Sequence, residues 1–410
     1  MKTESFFIAV IISVFLSVSL LAQEHTSLPY SVQGSVSDSR TLKRIESVHV
    51  SVPGRNHATV TNAEGSFTIK SDAPITSLTF THMGYRTITV VPSSDGPLNV
   101  VMSAEAQPLE GATITIGNAR NLVDEAVYRI TRNYSSQPLL LQCFYRETVR
   151  KRQRYTYISE AVSKIYKTSY AHGVFQDRAA LKKSRVLLSQ KKSDTLSVKV
   201  MGGPTLAVVQ DPVKNQDMLF NHQDMQYYRF ETGNPILIDG RMQYVVNFHP
   251  GDVKPSYALY QGTLYIDAEN LAFTRIELSL DMSDPVKATD MILVKKPLGL
   301  RFHPKELSSV VTYRRQEDGR YRLEYFRTSI GFSCDWKKRL FATNYHAVNE
   351  LVVTDILDEA VPIPRAEMFK TTDILDDKAP DFFDPLFWED YNIIEPTESL
   401  EHAIGHLRKR

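Results

Sequence analysis

The chain has 410 residues, 42% hydrophobic and 23% charged, with 48 Lys and Arg against 47 Asp and Glu. This globular composition excludes a disordered chain, a collagen-like chain, a polytopic membrane protein and a single small module, and the length allows two or three domains. A formal net charge of +1 lacks the basic footprint that a nucleic-acid partner requires.

Residues 6–22 run without a charge, after Lys2 and before Gln23-Glu24-His25. An apolar run of this length ending at small Ala22 reads as a cleaved secretory leader, residues 1–22, and no Cys follows it to carry an acyl anchor. No later segment is long and apolar enough to span a membrane, so the mature chain is expected in the periplasm or associated with the outer membrane. Cys143 and Cys334 are the two cysteines. They read as two separately buried thiols, although a single disulfide stays open, since pairing needs Cα atoms within about 7 Å.

From residue 30 to 104 short alternating strands are separated by turn residues, the pattern of a small all-β sandwich of about seven strands. The pieces are Gly34-Ser35-Val36-Ser37-Asp38, Val48 to Gly54, Thr59 to Ile69 with the turn Asn62-Ala63-Glu64-Gly65, and Gly84-Tyr85. Together they resemble the carboxypeptidase-regulatory-like family, a prealbumin-like sandwich common at the N-terminus of envelope proteins in Bacteroidetes-type bacteria. Asn62 stands where that family usually carries Asp and serves the same turn chemistry. The resemblance implies no peptidase, because the domain is non-catalytic. The chain's His-x-x-Glu, His303 to Glu306, contains Pro304 and lacks surrounding α/β alternation, so no metal site is expected there.

Residues 105–120 read as a linker, and Leu122, Val123, Ala126, Val127 and Ile130 recur at helical spacing within 121–134. From 121 to 370 longer strands rich in Tyr and Phe predict a curved antiparallel sheet or half-barrel with few helices. In the strand beginning at Arg320, Leu323, Tyr325 and Ser329 are expected on an apolar face opposite Arg322, Glu324 and Thr328. Tyr244 to Phe248, Gly262 to Asp267 and Thr274 to Glu277 resemble the lipoprotein-carrier half-barrels of the bacterial envelope. Together with Phe144 to Thr148 and Phe387 to Asn392, they also resemble uncharacterised domains that accompany the regulatory-like sandwich.

Charge is segregated: residues 141–200 hold 14 Lys and Arg against 4 Asp and Glu, while residues 371–401 hold 10 Asp and Glu against Lys378. The acidic, aromatic tail of residues 371–410 is expected either to lie in solvent or to pack across the basic hairpins and close the domain. Within it Phe387, Trp388 and Tyr391 are candidate clasp or partner-docking residues, since buried rings stabilise and aromatics anchor interfaces. Thr195, in Asp194-Thr195-Leu196, resembles an O-glycosylation site of exported Bacteroidetes proteins. His402 and His406 are the one His pair at helical spacing, read as surface residues.

Phosphate-loop, dinucleotide, zinc and nucleophile-elbow motifs are all absent, so no cofactor, metal or catalytic residue is assigned. The leading expectation is a non-catalytic envelope protein that binds a protein partner or an apolar ligand on its second domain. A hydrolase with a discontinuous site, or a carbohydrate-binding or adhesin module, are the alternatives.

Overall fold

The computed structural model describes residues 28–93, 96–104, 118–188, 198–238, 240–336, 342–378, 388 and 391–408. The leader, most of the linker, Thr195 and Phe387 lie outside the described residues.

The N-terminal segment is mainly β, as its alternation predicts. Its strands are β1 (Tyr30–Asp38), β2 (His49–Ser51), β3 (Ala58–Val60), β4 (Ser66–Ser71), β5 (Leu78–Thr81), β6 (Ile88–Val90) and β7 (Leu98–Met102). They form a three-stranded sheet, β4-β1-β7, and a four-stranded sheet, β3-β2-β5-β6. Val36, Val48, Val50, Ile69, Leu78 and Phe80 are wholly buried between them, and Phe67 meets Phe80 edge to face at 5.3 Å. At the turn before β4, Asn62 Oδ1 accepts from the amides of Glu64 and Ser66. Gly65 takes φ +70°, and a Cβ there would stand 2.6 Å from the Val36 carbonyl, so glycine is required.

Helices α1 (Ala119–Tyr128) and α2 (Ile130–Asn133) follow, with Asn118 capping the first. Leu122, Val123, Ala126 and Ile130 are buried, as their spacing predicts. The remaining strands are β8 (Leu139–Lys151), β9 (Arg154–Lys167), β10 (Arg178–Leu188), β11 (Tyr228–Thr232), β12 (Ile236–Ile238), β13 (Arg241–Pro250), β14 (Tyr260–Asp267), β15 (Phe273–Leu280), β16 (Leu300–Arg315), β17 (Tyr321–Trp336) and β18 (Thr343–Leu357). Short α3 (Leu206–Val209), α4 (Pro285–Ile292) and C-terminal α5 (Glu398–Arg408) complete the elements used below.

These eleven strands form one curved antiparallel sheet in the order β10-β9-β8-β18-β17-β16-β15-β14-β13-β11, with β12 also paired to β13. One face carries α1, α2, α3 and the segments around Phe220 and Phe369, and its core contains Tyr134, Tyr145, Phe273, Phe326 and Leu351. The other face carries the sandwich and the tail, with Phe144, Val162, Tyr325 and Val352 packed against Val60, Trp388, Tyr391 and Ile394. Both faces are therefore covered over β8, β9 and β18, whereas β13 to β15 keep a half-exposed face that carries Asn247, Thr263 and Glu277.

The alternation expected along β17 is overturned. A bulge at Glu324, where Thr312 pairs Tyr325 and Tyr313 pairs Leu323, shifts the side-chain phase by one residue. Leu323 joins the helix-side core, while Tyr325 joins the core on the sandwich side.

Candidate functional site

The tail residues at 388 and beyond run between the two domains. The Trp388 indole N–H donates to Glu160 Oε2 at 3.1 Å, its ring meets Phe144 edge to face at 5.6 Å, and the Arg185 guanidinium lies 4.9 Å above it. From the sandwich, Lys70 Nζ donates to the Trp388 carbonyl at 2.7 Å. Asn392 brackets the Lys70 backbone, accepting from its N–H at 2.6 Å and donating to its carbonyl at 3.0 Å, much as a neighbouring strand would. Thr59 Oγ1 donates to the Ile393 carbonyl at 2.7 Å, and Arg146 Nη2 donates to that of Ile394 at 2.7 Å. Tyr391 lies beneath Lys182, and Leu400 of α5 packs on Ile158. Among the described tail residues, basic side chains meet the ring faces of Trp388 and Tyr391 and the carbonyls of Trp388 and Ile394; Asp376 and Asp377, earlier in the tail, meet Lys199 at 3.2 and 3.0 Å.

Under the strap, Glu160 is buried between Arg146 (2.6 Å) and Arg185 (2.6 Å). Burial by itself would raise its carboxyl, and the two guanidiniums outweigh burial and hold it below the ordinary range.

Beside the strap, a groove of about 360 Å³ separates the sandwich from the sheet. His49 and His82 line it from the sandwich, and Arg241, Arg275, Arg314 and Arg315 line it from the sheet. Arg314 Nη1 lies 2.9 Å from His49 Nδ1, and Arg314 Nη2 donates to Ser51 Oγ at 2.9 Å. His49 Nε2 stands 3.1 Å from Glu324 Oε1. Arg314 Nη1 also lies 3.1 Å from His49 Nε2, so both ring nitrogens are within its reach. Burial first, then the charges of Arg314 and Arg322, keep His49 well below its ordinary pKa. His82 is lowered in the same way, by burial and then by Arg275. Arg322 lies behind the groove, almost wholly buried, its Nε without a partner and burial lowering its pKa to about 10.

The helix-side face holds two further buried clusters. Asp211 accepts from Lys167 Nζ at 2.8 Å, Tyr170 OH at 3.2 Å and Tyr313 OH at 2.6 Å, while Lys214 Nζ donates to Asp177 at 2.8 Å and to Thr168. Two cations and two carboxylates thus staple the segment of Asp211 and Lys214 onto the sheet. Nearby, Glu147 accepts from Tyr145 OH at 2.8 Å and Tyr157 OH at 2.5 Å, with no basic partner among the described residues, and burial raises its carboxyl to about 7. Asn349, its cross-strand neighbour, is buried with neither amide atom hydrogen-bonded.

Cys143 and Cys334 are both buried free thiols, pushed by burial to about 12 and about 11. His303 lies on β16 with an exposed side chain. Among the described residues no group of three His, Cys, Asp or Glu could hold a metal ion, and no helix is long and apolar enough to cross a membrane.

With this geometry in view, the seven-stranded N-terminal unit can be assigned. A family model described as "CarboxypepD_reg-like domain" matches residues 32–114. Those residues are a CarboxypepD_reg-like domain. The match begins at β1 and extends past β7, so His49, Ser51 and His82 of the groove belong to the CarboxypepD_reg-like domain while its arginines belong to the sheet. No curated protein matches the chain. Among solved structures, a putative outer membrane lipoprotein-sorting protein domain from Vibrio parahaemolyticus is similar at 11% identity and TM-score 0.24, over 58% of this chain and 91% of that one. A DUF1329 family protein from Desulfovibrio piger is similar at 12% identity and TM-score 0.26, over 62% of this chain and 100% of that one. A LolA superfamily protein from Nitrosomonas europaea is similar at 12% identity and TM-score 0.20, over 59% and 96%.

The groove and the buried clusters escaped the sequence reading. His49 and Arg314 are 265 residues apart, and Lys167, Asp177, Asp211 and Glu147 carry no motif. The available signal was a charged residue at the centre of an otherwise apolar strand, as in Tyr145-Arg146-Glu147.

Proposed function

We propose that this chain is a non-catalytic binding or assembly module of the bacterial cell envelope, and that it receives an acidic segment of a protein partner in the groove between its CarboxypepD_reg-like domain and its sheet. The observation that carries the reading is the convergence of Arg241, Arg275, Arg314 and Arg315 on one cavity, where they outnumber the carboxylates Asp267 and Glu324 that also line it. Arg241 is satisfied by Asp267 and Arg275 by Glu277, whereas Arg314 gives its hydrogen bonds to the His49 ring and the Ser51 hydroxyl and has its carboxylate, Glu324, at the longer distance of 3.8 Å. A carboxylate entering here gains charge-assisted hydrogen bonds in a partly desolvated site, and junctions between domains favour ligand sites.

Binding is favoured over catalysis because both nitrogens of His49 are engaged, leaving neither to move a substrate proton. A protein segment is favoured over an apolar guest because the helix-side face is filled by the chain's own Tyr134, Phe220 and Phe369, which a guest would have to displace. The envelope location is supported by the leader-like residues 6–22.

The test is calorimetric titration of the chain with hexaglutamate and with hexaglutamine. Hexaglutamate is expected to bind at least tenfold more tightly, and Arg314→Ala and Arg315→Ala are each expected to weaken it by about tenfold, the worth of one charge-assisted hydrogen bond. Equal affinity for the two peptides would refute the reading, as would binding indifferent to both substitutions.

A further inference from the structure

Among the described residues thirteen large apolar side chains are exposed, and six of them, Val253, Tyr257, Val286, Met291, Val294 and Leu298, belong to one end of the sheet. Val253 and Tyr257 belong to a segment that packs on α4, which carries Val286 and Met291, and Val294 and Leu298 follow α4 in the chain toward β16. Lys287 Nζ donates to the Pro255 carbonyl at 2.6 Å, and Ala258 and Ala288 share an apolar cluster with Leu280 and Leu307. The most prominent is Leu298, 100% exposed at a turn where Gly299 takes φ +82°.

Lys254, Lys295 and Lys296 are exposed among these apolar residues and form no ion pair among the described residues. Of the nearby acids, Asp281 and Asp284 are half-buried and accept from backbone amides, Asp252 pairs with Arg229, and Asp290 is exposed. The patch thus combines protruding aliphatic tips with unpaired ammonium groups. A bilayer surface carrying anionic phospholipid satisfies both at once, since the tips reach the acyl boundary while lysines meet headgroup phosphates. An apolar protein surface would leave the lysines without counter-charge.

We infer that this end of the sheet, from Val253 to Leu298, is a membrane-contact surface that docks peripherally on anionic phospholipid. The groove and the patch sit at opposite ends of the same strands, since β14 runs from Tyr260 beside the patch to Asp267 in the groove, about 23 Å at the rise of an antiparallel strand. A chain seated this way holds the arginine groove away from the bilayer. The inference does not depend on what the groove binds.

The experiment is flotation of the full chain with phosphatidylcholine vesicles and with vesicles containing about 30% phosphatidylglycerol, a surface charge that draws basic residues. The parent chain is expected to float at least fivefold more with the anionic vesicles. Val294→Asp with Leu298→Asp should reduce that binding at least tenfold, and Lys295→Gln with Lys296→Gln should lower it to the phosphatidylcholine level. All four side chains are exposed, so circular dichroism and melting temperature should match the parent, and residues 6–22 are common to every chain compared. Flotation that is absent, equal on the two vesicles, or unchanged in either double variant overturns the inference.

Discussion

The indole N–H of Trp388 donates to the Glu160 carboxylate at 3.1 Å, joining the strap to a residue 228 positions earlier in the chain. This bond completes a carboxylate already held by Arg146 and Arg185, and the ring fills the space between Phe144 and the Arg185 guanidinium. Trp388→Ala should therefore destabilise the chain by about 3–5 kcal/mol, the cost of emptying a buried aromatic site. Trp388→Phe keeps the ring and loses the N–H, at about 1–2 kcal/mol. Denaturant midpoints would measure both. The packing of the Trp388 ring on Phe144 does not depend on salt, so the losses should be alike in low and high salt; losses confined to low salt would mean that charge closes the strap.

Glu147 sets a pH dependence of definite sign. Its folded-state pKa, about 7, lies above the 4.5 of the free side chain, so between these values the folded chain binds more protons than the unfolded one. This carboxyl thus favours folding fully below about pH 4.5, and its contribution is lost as pH rises toward 7. Glu147→Gln keeps the neutral shape and should flatten stability across that window, with a relative gain on the order of 3 kcal/mol above pH 7. Parallel pH profiles for parent and variant would contradict this assignment.

Asp211→Asn removes the nearer of the two carboxylates at Lys167, leaving Asp177 at 4.0 Å, and should cost about 3 kcal/mol, whereas adding Lys167→Met should recover part of that loss. Lys214, lowered to about 8 by burial and then by Lys167, acts in the alkaline range. Its folded pKa lies below the ordinary 10.5, so the folded chain binds fewer protons and stability should rise with pH from about 8 to 10.5. A double-mutant cycle in urea measures the coupling; a cycle that closes to zero would remove Asp211 as the partner of Lys167.

Both thiols should resist a disulfide-exchange reagent in the folded chain and react only on unfolding, because burial raises their pKa values and restricts access. A titration in denaturant without reductant should count two thiols. A count of zero would indicate a disulfide.

The sandwich was legible because each strand carries its own evidence: β-branched residues in period two, with Asn62 and Gly65 marking a turn whose hydrogen bonds are local. The sheet was legible as a class, but its strand order was not, since nothing local states that β18 pairs with β8 as well as β17. The bulge at Glu324 was invisible for a related reason, because an extra residue is defined only against a partner strand. Lys167 and Asp211 were not legible as partners, because the two lie 44 residues apart and neither belongs to a motif. Trp388 and Tyr391 could be singled out from composition, whereas their seat between two domains depended on Lys70 and Glu160, each more than 200 residues away.

The place of β18 also sets an order of events. Strands β8, β9 and β10 can pair with one another as they are synthesised, and so can the run from β13 to β17, but the two halves meet only through β18. Until residues 343–357 are available, each half presents a bare strand edge to its surroundings. Contacts of such long sequence separation form slowly, and exposed edges invite pairing with other chains. The half-made protein is thus the species in which intermolecular strand pairing competes with folding, and a holding chaperone that shields the free edges of β8 and β17 would raise the yield of the finished sheet.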